Sequence, residues 1–384
     1  MTTMLSDEAL LGRLVSFDST SRNSNRPIAA FIAEYLDRPG IRIEEQPSPD
    51  GDKLNLIVHV GPEVDPDSRN GIVLSGHMDV VPAEEPDWQN DPFSLAVHED
   101  RLVGRGAADM KGFDALAINL AAALSTTTLA HPLVLVLTYD EEVGTLGAKH
   151  FAHAWPAERA LPRAAIIGEP TSLEVVRLHK GHARFEMDVK GIGAHSGYPH
   201  LGKSAIEPAG RAVTALAELR QALMEEDWPN AEHFPEVPYP ALNVARIHGG
   251  SAINIIPDHC HVDLSLRILP GMAIEPMFEL IRNTALAAAG DADATVTQGN
   301  LSPPLLTTED TPLYRTLTAL MRQDKTVSAS YATDAGWLQE CGLEPVIWGP
   351  GSIEVAHKPN EWMPRDEYRR GAQLLRSVVE NYCM

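Results

Sequence analysis

Three short apolar runs limit the folds open to this chain. The segments "GIVLSGHMD" (71–79), "PLVLVLTYDEE" (132–142) and "AAIIGEP" (164–170) are almost continuously apolar until their polar ends. Strands with this pattern are buried on both faces of a sheet. Helix-like segments separate them, among them "KGFDALAINLAAAL" (111–124). The alternation predicts an α/β domain with a mixed sheet that helices cover on both faces.

The pattern changes in the middle of the chain, where the strands become one-sided. Alternating apolar and polar residues, typical of half-solvated strands, occur in "HARFEMDVKG", "ALNVARIHGG" and "HCHVDLSLRILPG". Two helix-like segments and a last strand complete a β-α-β-β-α-β order, which is that of a ferredoxin-like α+β module. We therefore expect residues 178–301 to form an inserted domain. Residues 1–177 and 302–384 then form one discontinuous domain.

Composition argues against some partners. The 384 residues carry a formal net charge of −22, which disfavours binding to nucleic acid and to anionic membranes. Three cysteines without CxxC spacing, Cys260, Cys341 and Cys383, indicate a reducing compartment. The N-terminus has no basic segment before a long apolar run, and no run is long enough to span a membrane. These features predict a cytoplasmic protein.

Acidic residues and histidines follow the apolar strands, at the point where each strand ends. The carboxyl ends of the strands form the ligand-binding edge of an open α/β sheet. Two more such residues are expected at the same edge, one in "GRGAADMKG" and one in the loop after "PVIWG". The full set is His77, Asp79, Asp109, Glu141, Glu142, Glu169 and His357.

This set of donors favours metal ions. Grouped carboxylates repel one another and are costly to desolvate, and divalent cations remove both costs. Histidine nitrogen together with carboxylate oxygen suits zinc or a neighbouring first-row metal better than calcium. The ligands are too many for one tetrahedral zinc, whereas a pair of ions that share a carboxylate accommodates them.

Local spacing divides the roles within this set. In an extended segment, residues i and i+2 point the same way, so Asp79 can orient the ring of His77 while that ring binds a metal. Neighbours i and i+1 point apart, so Glu141 and Glu142 are not expected to bind the same ion. One of the two can bind metal while the other is free to carry a proton.

Each feature also has a simpler interpretation. An isolated HxD can be a surface accident, an acidic triplet can be a solvated loop, and Glu169 can cap a turn. The stretch "GRGAAD" lacks the third glycine of a dinucleotide-binding loop and does not directly follow a strand. Because all the candidates fall at strand ends of one sheet, the combination favours a metal-dependent hydrolase over a non-catalytic binding protein.

The same residues lie in stretches that resemble the M20 family of dinuclear metallopeptidases and amidohydrolases. The resemblance runs from near residue 17 to near residue 363. It includes "SGHMDVVP", "GRGAADMKGF", "DEEVGTLGAKHF", "IIGEPTSLEVVRLHKGH" and "AHSGYPHLGKSAIE". The stretches "HKGH", "VPYPALN" and "GPGSIEVAHKP" point to the deacetylase branch of the family.

The resemblance implies two divalent metal ions and their ligands. Asp109 bridges the two ions. His77 and Glu169 complete one site, and Glu142 and His357 complete the other. The ions are expected to be Zn²⁺, with Co²⁺ or Mn²⁺ as alternatives.

The resemblance also implies catalytic and substrate-binding residues. Asp79 orients His77, and Glu141 is the general base and acid. His195, in the inserted domain, helps hold the oxyanion. Arg267 and Asn254 are the candidates for binding the substrate's carboxylate.

The implied reaction is removal of acetate from an N-acetyl amino acid, with N2-acetyl-L-ornithine as the predicted substrate in arginine biosynthesis. Another N-acyl amino acid, such as acetylcitrulline or succinyl-diaminopimelate, or a small peptide is the alternative. The resemblance further implies a homodimer formed through the inserted domain, which acts as a lid. In that dimer His195 reaches into the partner's site, and hinges lie near residues 178–182 and 301.

Overall fold

The computed structural model describes residues 3–384, which divide into two compact units. Unit 1 comprises the chain up to Leu178 together with Thr307–Val327 and Thr333–Met384. Unit 2 comprises His179–Leu306 and Ser328–Ala332. Among the described residues, no helix has the length and apolar character needed to cross a membrane.

Helices and strands occur along the whole described chain. The helices are α1 (Asp7–Val15), α2 (Arg26–Tyr35), α3 (Lys111–Leu124), α4 (Leu146–Ala154), α5 (Ile206–Glu225), α6 (Ile274–Ala289), α7 (Pro312–Met321), α8 (Ala335–Glu340) and α9 (Arg365–Cys383). The strands are β1 (Ile41–Pro47), β2 (Leu54–Val60), β3 (Ile72–His77), β4 (Ala96–Val97), β5 (Arg101–Val103), β6 (Leu133–Thr138), β7 (Ala164–Ile167), β8 (Val176–His179), β9 (Gly181–Lys190), β10 (Ala194–His195), β11 (Ala241–Gly249), β12 (Ile255–Ile256), β13 (His259–Ile268), β14 (Asp293–Ser302), β15 (Leu305–Leu306), β16 (Val327–Ala329), β17 (Glu344–Ile347) and β18 (Trp362–Pro364).

Sequence signals set the ends of the first helices. The side chain of Ser6 accepts a hydrogen bond from the backbone N–H of Ala9 at 3.2 Å and so caps α1. A cap of this kind satisfies one of the amides that a helix start leaves without an intrahelical partner. Pro27 lies in the first turn of α2, where the missing N–H of proline costs nothing.

The sheet of unit 1 is mixed, as the sequence predicted. Its order is β1-β2-β6-β3-β7-β17-β8. Strands β6, β3, β7 and β17 run parallel to their neighbours within this group. Strands β1 and β2 at one side and β8 at the other are antiparallel. The parallel centre therefore brings several strand ends to one edge.

Burial explains why the central strands read as apolar runs. Every residue of β3, β6 and β7 is buried. Helix α3 is buried along nearly its whole length and packs against α1, β3 and α9. A helix surrounded by protein needs apolar or small residues on all sides, which accounts for its sequence "KGFDALAINLAAAL".

Unit 2 has the predicted α+β order. Its four-stranded antiparallel sheet has the order β11-β13-β9-β14. Alternate residues of β9 and β13 are buried, including Phe185, Val189 and Leu264. Helices α5 and α6 contribute Leu216 and Ile281 to the same core. The other face of each strand is more exposed, so the alternation in the sequence reports one-sided burial.

Some strands were not predicted. Strand β1, "IRIEEQP", has only partly buried and exposed residues, so it lacks an apolar run. A small sheet of β18, β5 and β4 consists of strands of two or three residues, which are too short to show a period.

Candidate metal centre

The predicted residues of unit 1 meet at the carboxyl edge of its sheet. His77 is the last residue of β3. The other residues lie in the loops that follow the parallel strands β3, β6, β7 and β17 and in the loop before α3. Because these strands run in one direction, their ends and loops share one edge.

Asp109 lies between two histidines. Its Oδ1 is 3.0 Å from Nε2 of His77, and its Oδ2 is 3.2 Å from Nε2 of His357. His77 and Asp109 are buried, whereas half of the His357 side chain is exposed. Glu142 Oε2 also lies 3.0 Å from Nε2 of His357. The carboxylate of Asp109 thus presents one oxygen to each imidazole.

Two overlapping groups of donor atoms are close enough to hold a cation. One ligand atom from each of His77, Glu141 and Glu169 lies within 4.8 Å of the others. The same is true of His77, Asp109 and Glu142. Imidazole nitrogen with carboxylate oxygen is the donor chemistry of zinc and its first-row neighbours, so the residues present fit such ions.

The carboxyl groups at this edge make one another's ionisation unfavourable. Burial, together with Asp109, raises the pKa of Glu169 well above its ordinary value. Burial and the neighbouring Glu169 raise the pKa of Glu141 in the same way. Burial raises the pKa of Glu142 to about 7, and hydrogen bonds to Asp109 and Glu142 raise the pKa of His357 to about 10. Divalent cations would offset this repulsion and let all the carboxylates ionise.

The two neighbouring glutamates are held differently. The carboxylate of Glu142 has both oxygens within 3.2 Å of His357 Nε2. The carboxylate of Glu141 makes no hydrogen bond or ion pair with another side chain within residues 3–384. The side chain of Glu142 therefore contacts another donor of the centre, whereas the side chain of Glu141 makes no hydrogen bond within residues 3–384.

Asp79 contacts His77 in a different way from the one expected. The ring Nδ1 of His77 lies 3.0 Å from the backbone carbonyl of Asp79, while the nearest carboxylate oxygen is 3.7 Å away. The Asp79 carboxylate is occupied elsewhere: it accepts hydrogen bonds from Ser21 Oγ and from the backbone N–H groups of Glu141 and Glu142. Asp79 thus orients the His77 ring through its main chain and holds the acidic loop through its side chain.

Two residues at this centre were not predicted from the sequence. Glu361 is buried, and its Oε1 accepts the backbone N–H groups of Ala108 and Asp109 at 2.9 and 3.0 Å. Arg105, also buried, donates from Nη1 to Glu361 Oε2 at 2.8 Å. Glu361 lies in the stretch "HKPNEWM", where nothing in the local pattern distinguishes it from a surface glutamate.

Two buried aspartates also surround the centre. Burial raises the pKa of Asp114 to about 8 and that of Asp334 to about 6. Thr138 Oγ1 donates to Asp334 Oδ2 at 2.5 Å. Asp114 lies in an apolar helix and Asp334 in a segment without a clear period, so no signal in the sequence singled them out.

Three predicted residues lie in unit 2. His195 is exposed in β10, and the backbone N–H of Gly197 donates to its Nδ1 at 3.0 Å. Asn254 is exposed, and its backbone carbonyl accepts from the N–H of Ser196. Arg267 is half-buried on β13, and burial together with the neighbouring Arg184 lowers its pKa. Their roles at the metal centre stay predictions.

Comparisons with known proteins agree with the geometry. The family model described as peptidase family M20/M25/M40 matches residues 73–381. The acetylornithine deacetylase of Edwardsiella ictaluri is 35% identical over 388 residues, covering 98% of this chain and 97% of that protein. The acetylornithine deacetylase of Pectobacterium atrosepticum is 33% identical over 371 residues, covering 95% of this chain and 93% of that protein.

Solved structures share the fold. A tripeptidase from Staphylococcus aureus superposes with a TM-score of 0.77 at 19% identity, covering 99% of both chains. A Bacillus subtilis protein described as a dinuclear metal-binding peptidase of the M20 family superposes with a TM-score of 0.63 at 17% identity, covering 98% of both chains. The family match and the relatives that align along nearly the whole chain lead to one conclusion: this chain belongs to peptidase family M20/M25/M40 and is a metallohydrolase.

Proposed function

We propose that this metallohydrolase removes the acetyl group from N2-acetyl-L-ornithine and releases acetate and L-ornithine, a reaction of arginine biosynthesis. One observation carries the choice of substrate: relatives named acetylornithine deacetylase are 33% and 35% identical over nearly the whole chain. The cluster of histidines and carboxylates at the edge of the unit 1 sheet supports the reaction type.

The proposal assigns two divalent ions to this edge, with Zn²⁺ first and Co²⁺ or Mn²⁺ as alternatives. Asp109 would be shared, His77 and Glu169 would hold one ion, and Glu142 and His357 would hold the other. Ions in this place polarise an amide carbonyl and lower the pKa of water. The position of Asp109 between two imidazoles supports a shared ligand.

Glu141 is the proposed proton carrier. Its carboxylate accepts a proton from the attacking water and returns it to the leaving nitrogen, so the amine departs neutral. Two features support the role. The carboxylate has no side-chain partner within residues 3–384. Its backbone is fixed by the hydrogen bond from its N–H to Asp79 Oδ1 at 3.0 Å.

Unit 2 supplies the remaining groups in this proposal. Because Nδ1 of His195 accepts a hydrogen bond from Gly197, the neutral ring carries its proton on Nε2 and can donate it to the oxyanion. Arg267 would pair with the substrate's α-carboxylate, with Asn254 as a further contact. The charged neighbour that lowers the pKa of Arg267 is a second cation, Arg184. Two neighbouring cations repel each other, so binding of an anion such as a carboxylate between them is favourable.

A homodimer formed through residues 178–301, which also act as a lid, is part of the proposal. Strand β11 lies at the end of the unit 2 sheet, and much of it is exposed, so a second subunit could cover it. If His195 acts in the partner's site, mixing His195→Ala with Glu141→Gln protein should restore activity. No recovery after verified subunit exchange would contradict that arrangement.

The proposal also places the protein in the cytoplasm. Cys260, Cys341 and Cys383 are all free in the structure, which fits a reducing compartment.

Acetate release from a panel of substrates tests the assignment. The panel contains N2-acetyl-L-ornithine, N-acetylcitrulline, other N-acetyl amino acids, N-succinyl-diaminopimelate and small peptides, with product amine measured for the last two. We expect the highest kcat/KM for N2-acetyl-L-ornithine. A higher value for another N-acyl amino acid or for a peptide would assign that substrate instead.

A further inference from the structure

Glu361 and Arg105 form a buried ion pair that contacts the backbone of Asp109. We propose that Glu361, held by Arg105, is a positioning residue for the metal centre. Its carboxylate fixes the backbone of Asp109 so that the two oxygens of the Asp109 side chain face different histidines. This inference rests on the metal-ligand assignment proposed above.

The contacts of Glu361 concentrate on the residue that presents the shared carboxylate. Its Oε1 receives two consecutive amides, those of Ala108 and Asp109, at 2.9 and 3.0 Å. Hydrogen bonds from amides to a carboxylate are charge-assisted and stronger than neutral ones. A peptide held at two adjacent N–H groups has little freedom to rotate, so the direction of the Asp109 side chain is set by Glu361.

Arg105 joins this pair to other segments that carry predicted ligands. Its Nη2 donates to the backbone carbonyl of Pro82 at 3.0 Å, on the segment that follows His77 and Asp79. Its Nη1 lies 3.4 Å from the carbonyl of Lys358, next to His357. One guanidinium therefore contacts the segments that hold both histidines, and the bonded glutamate holds the carboxylate between them.

The energetics argue against a purely stabilising role. Both side chains are about 1% exposed, and buried ion pairs of this kind are often no more stabilising than apolar residues of similar volume. In addition, Nε of Arg105 is buried without a hydrogen-bond partner among residues 3–384. A buried donor without a partner adds a further desolvation cost to the pair. The hydrogen bonds from the backbone of Ala108 and Asp109 to Glu361 explain why a charged pair, and not a pair of apolar residues, lies here.

Zn²⁺ titration of metal-stripped protein in competition with a chromophoric chelator tests the proposal without measuring activity. Glu361→Gln keeps the size of the side chain but places an amide N–H₂ against Arg105 or against the two backbone N–H groups. Groups that orient metal ligands are worth about 10- to 100-fold in metal affinity, so we expect a loss in this range. Arg105→Lys should lose about tenfold, at the low end of that range, because lysine has no planar fork.

The matched control is Glu8→Gln. Glu8 also makes a two-point ion pair with an arginine of unit 1, Arg365, at 2.7 and 2.8 Å, but it contacts no predicted ligand. This variant should bind Zn²⁺ within twofold of the unsubstituted protein even if it is less stable to urea. Affinity within twofold for folded Glu361→Gln would overturn the proposal. If that variant does not fold, affinity within twofold for Arg105→Lys would do the same. Failure of the unsubstituted protein to bind Zn²⁺ would instead overturn the ligand assignment.

Discussion

Replacing Glu141 and Glu142 separately by glutamine should separate proton transfer from metal binding. The two substitutions are identical in size and adjacent in sequence, so each controls for the other. Glu142 contacts His357 with both carboxylate oxygens, whereas the carboxylate of Glu141 has no side-chain partner within residues 3–384. The expected effects therefore differ in kind.

The magnitudes follow from these contacts. A positioned general base contributes about 10²- to 10⁴-fold to the rate, so Glu141→Gln should raise the activation barrier by about 3–5 kcal/mol. It should not destabilise the metal-free protein, because burial and Glu169 already raise the pKa of this carboxyl and make its charge unfavourable. Glu142→Gln breaks a contact between a buried carboxyl group and a half-exposed histidine, which should cost about 1–3 kcal/mol of stability. Its main effect should be loss of one bound ion.

The assay pairs metal analysis with turnover on the same preparations. Glu141→Gln should hold two ions per chain and release acetate at least about 100-fold more slowly. Glu142→Gln should hold fewer ions and regain part of its activity as Zn²⁺ is raised. If Glu141→Gln lost metal while Glu142→Gln kept both ions and lost turnover, the two roles would be reversed and the reasoning from their contacts would be refuted.

Three further predictions concern stability and substrate binding. Burial, with Arg42 adding to it, lowers the pKa of His59 to about 4, so between about pH 6.5 and pH 4 the unfolded chain binds a proton that the folded chain does not. The unfolding free energy, measured in urea titrations, should therefore fall as the pH is lowered across that interval, and His59→Gln should make this fall smaller. An unchanged dependence of the unfolding free energy on pH in that variant would contradict a buried neutral imidazole. Gly168→Ala would place a Cβ 1.9 Å from the ring of Phe113 and should lower the unfolding free energy by about 1–3 kcal/mol. Gly210→Ala in α5 would place a Cβ with nothing within 4 Å and should raise the unfolding free energy by up to about 1 kcal/mol. Equal urea midpoints for the two variants would contradict this difference in packing. Arg267→Ala should raise KM for the free-acid substrate far more than for its carboxamide, and equal effects would remove Arg267 from substrate binding.

The fold was predictable where burial leaves a mark on the sequence. Strands β3, β6 and β7 and helix α3 are buried on all sides, so their apolar runs define them. Strand β1 is at the sheet's edge with no fully buried residue, so the sequence shows no such run. The one-sided strands of unit 2 were predictable because helices cover one face of its sheet.

The site was predictable only as far as strand ends determine it. The carboxyl ends of parallel strands share an edge whatever the details of packing, so His77, Glu142 and Glu169 could be grouped from their positions in the sequence. The ion pair of Arg105 and Glu361 could not, because it joins residues 256 positions apart whose neighbours carry no distinguishing pattern. The contact of His77 with the carbonyl of Asp79 could not be predicted either, because the spacing brings both the carbonyl and the carboxylate of Asp79 near the ring.

The most direct test of the whole account is a Zn²⁺ titration of metal-stripped protein in which bound metal and acetate release from N2-acetyl-L-ornithine are followed together. We predict that stripped protein is inactive and that activity rises with added Zn²⁺ until two ions are bound per chain. Co²⁺ should also restore activity. Full turnover by protein shown to contain no metal, or full turnover with a single bound ion, would contradict a centre in which Asp109 is shared between two ions.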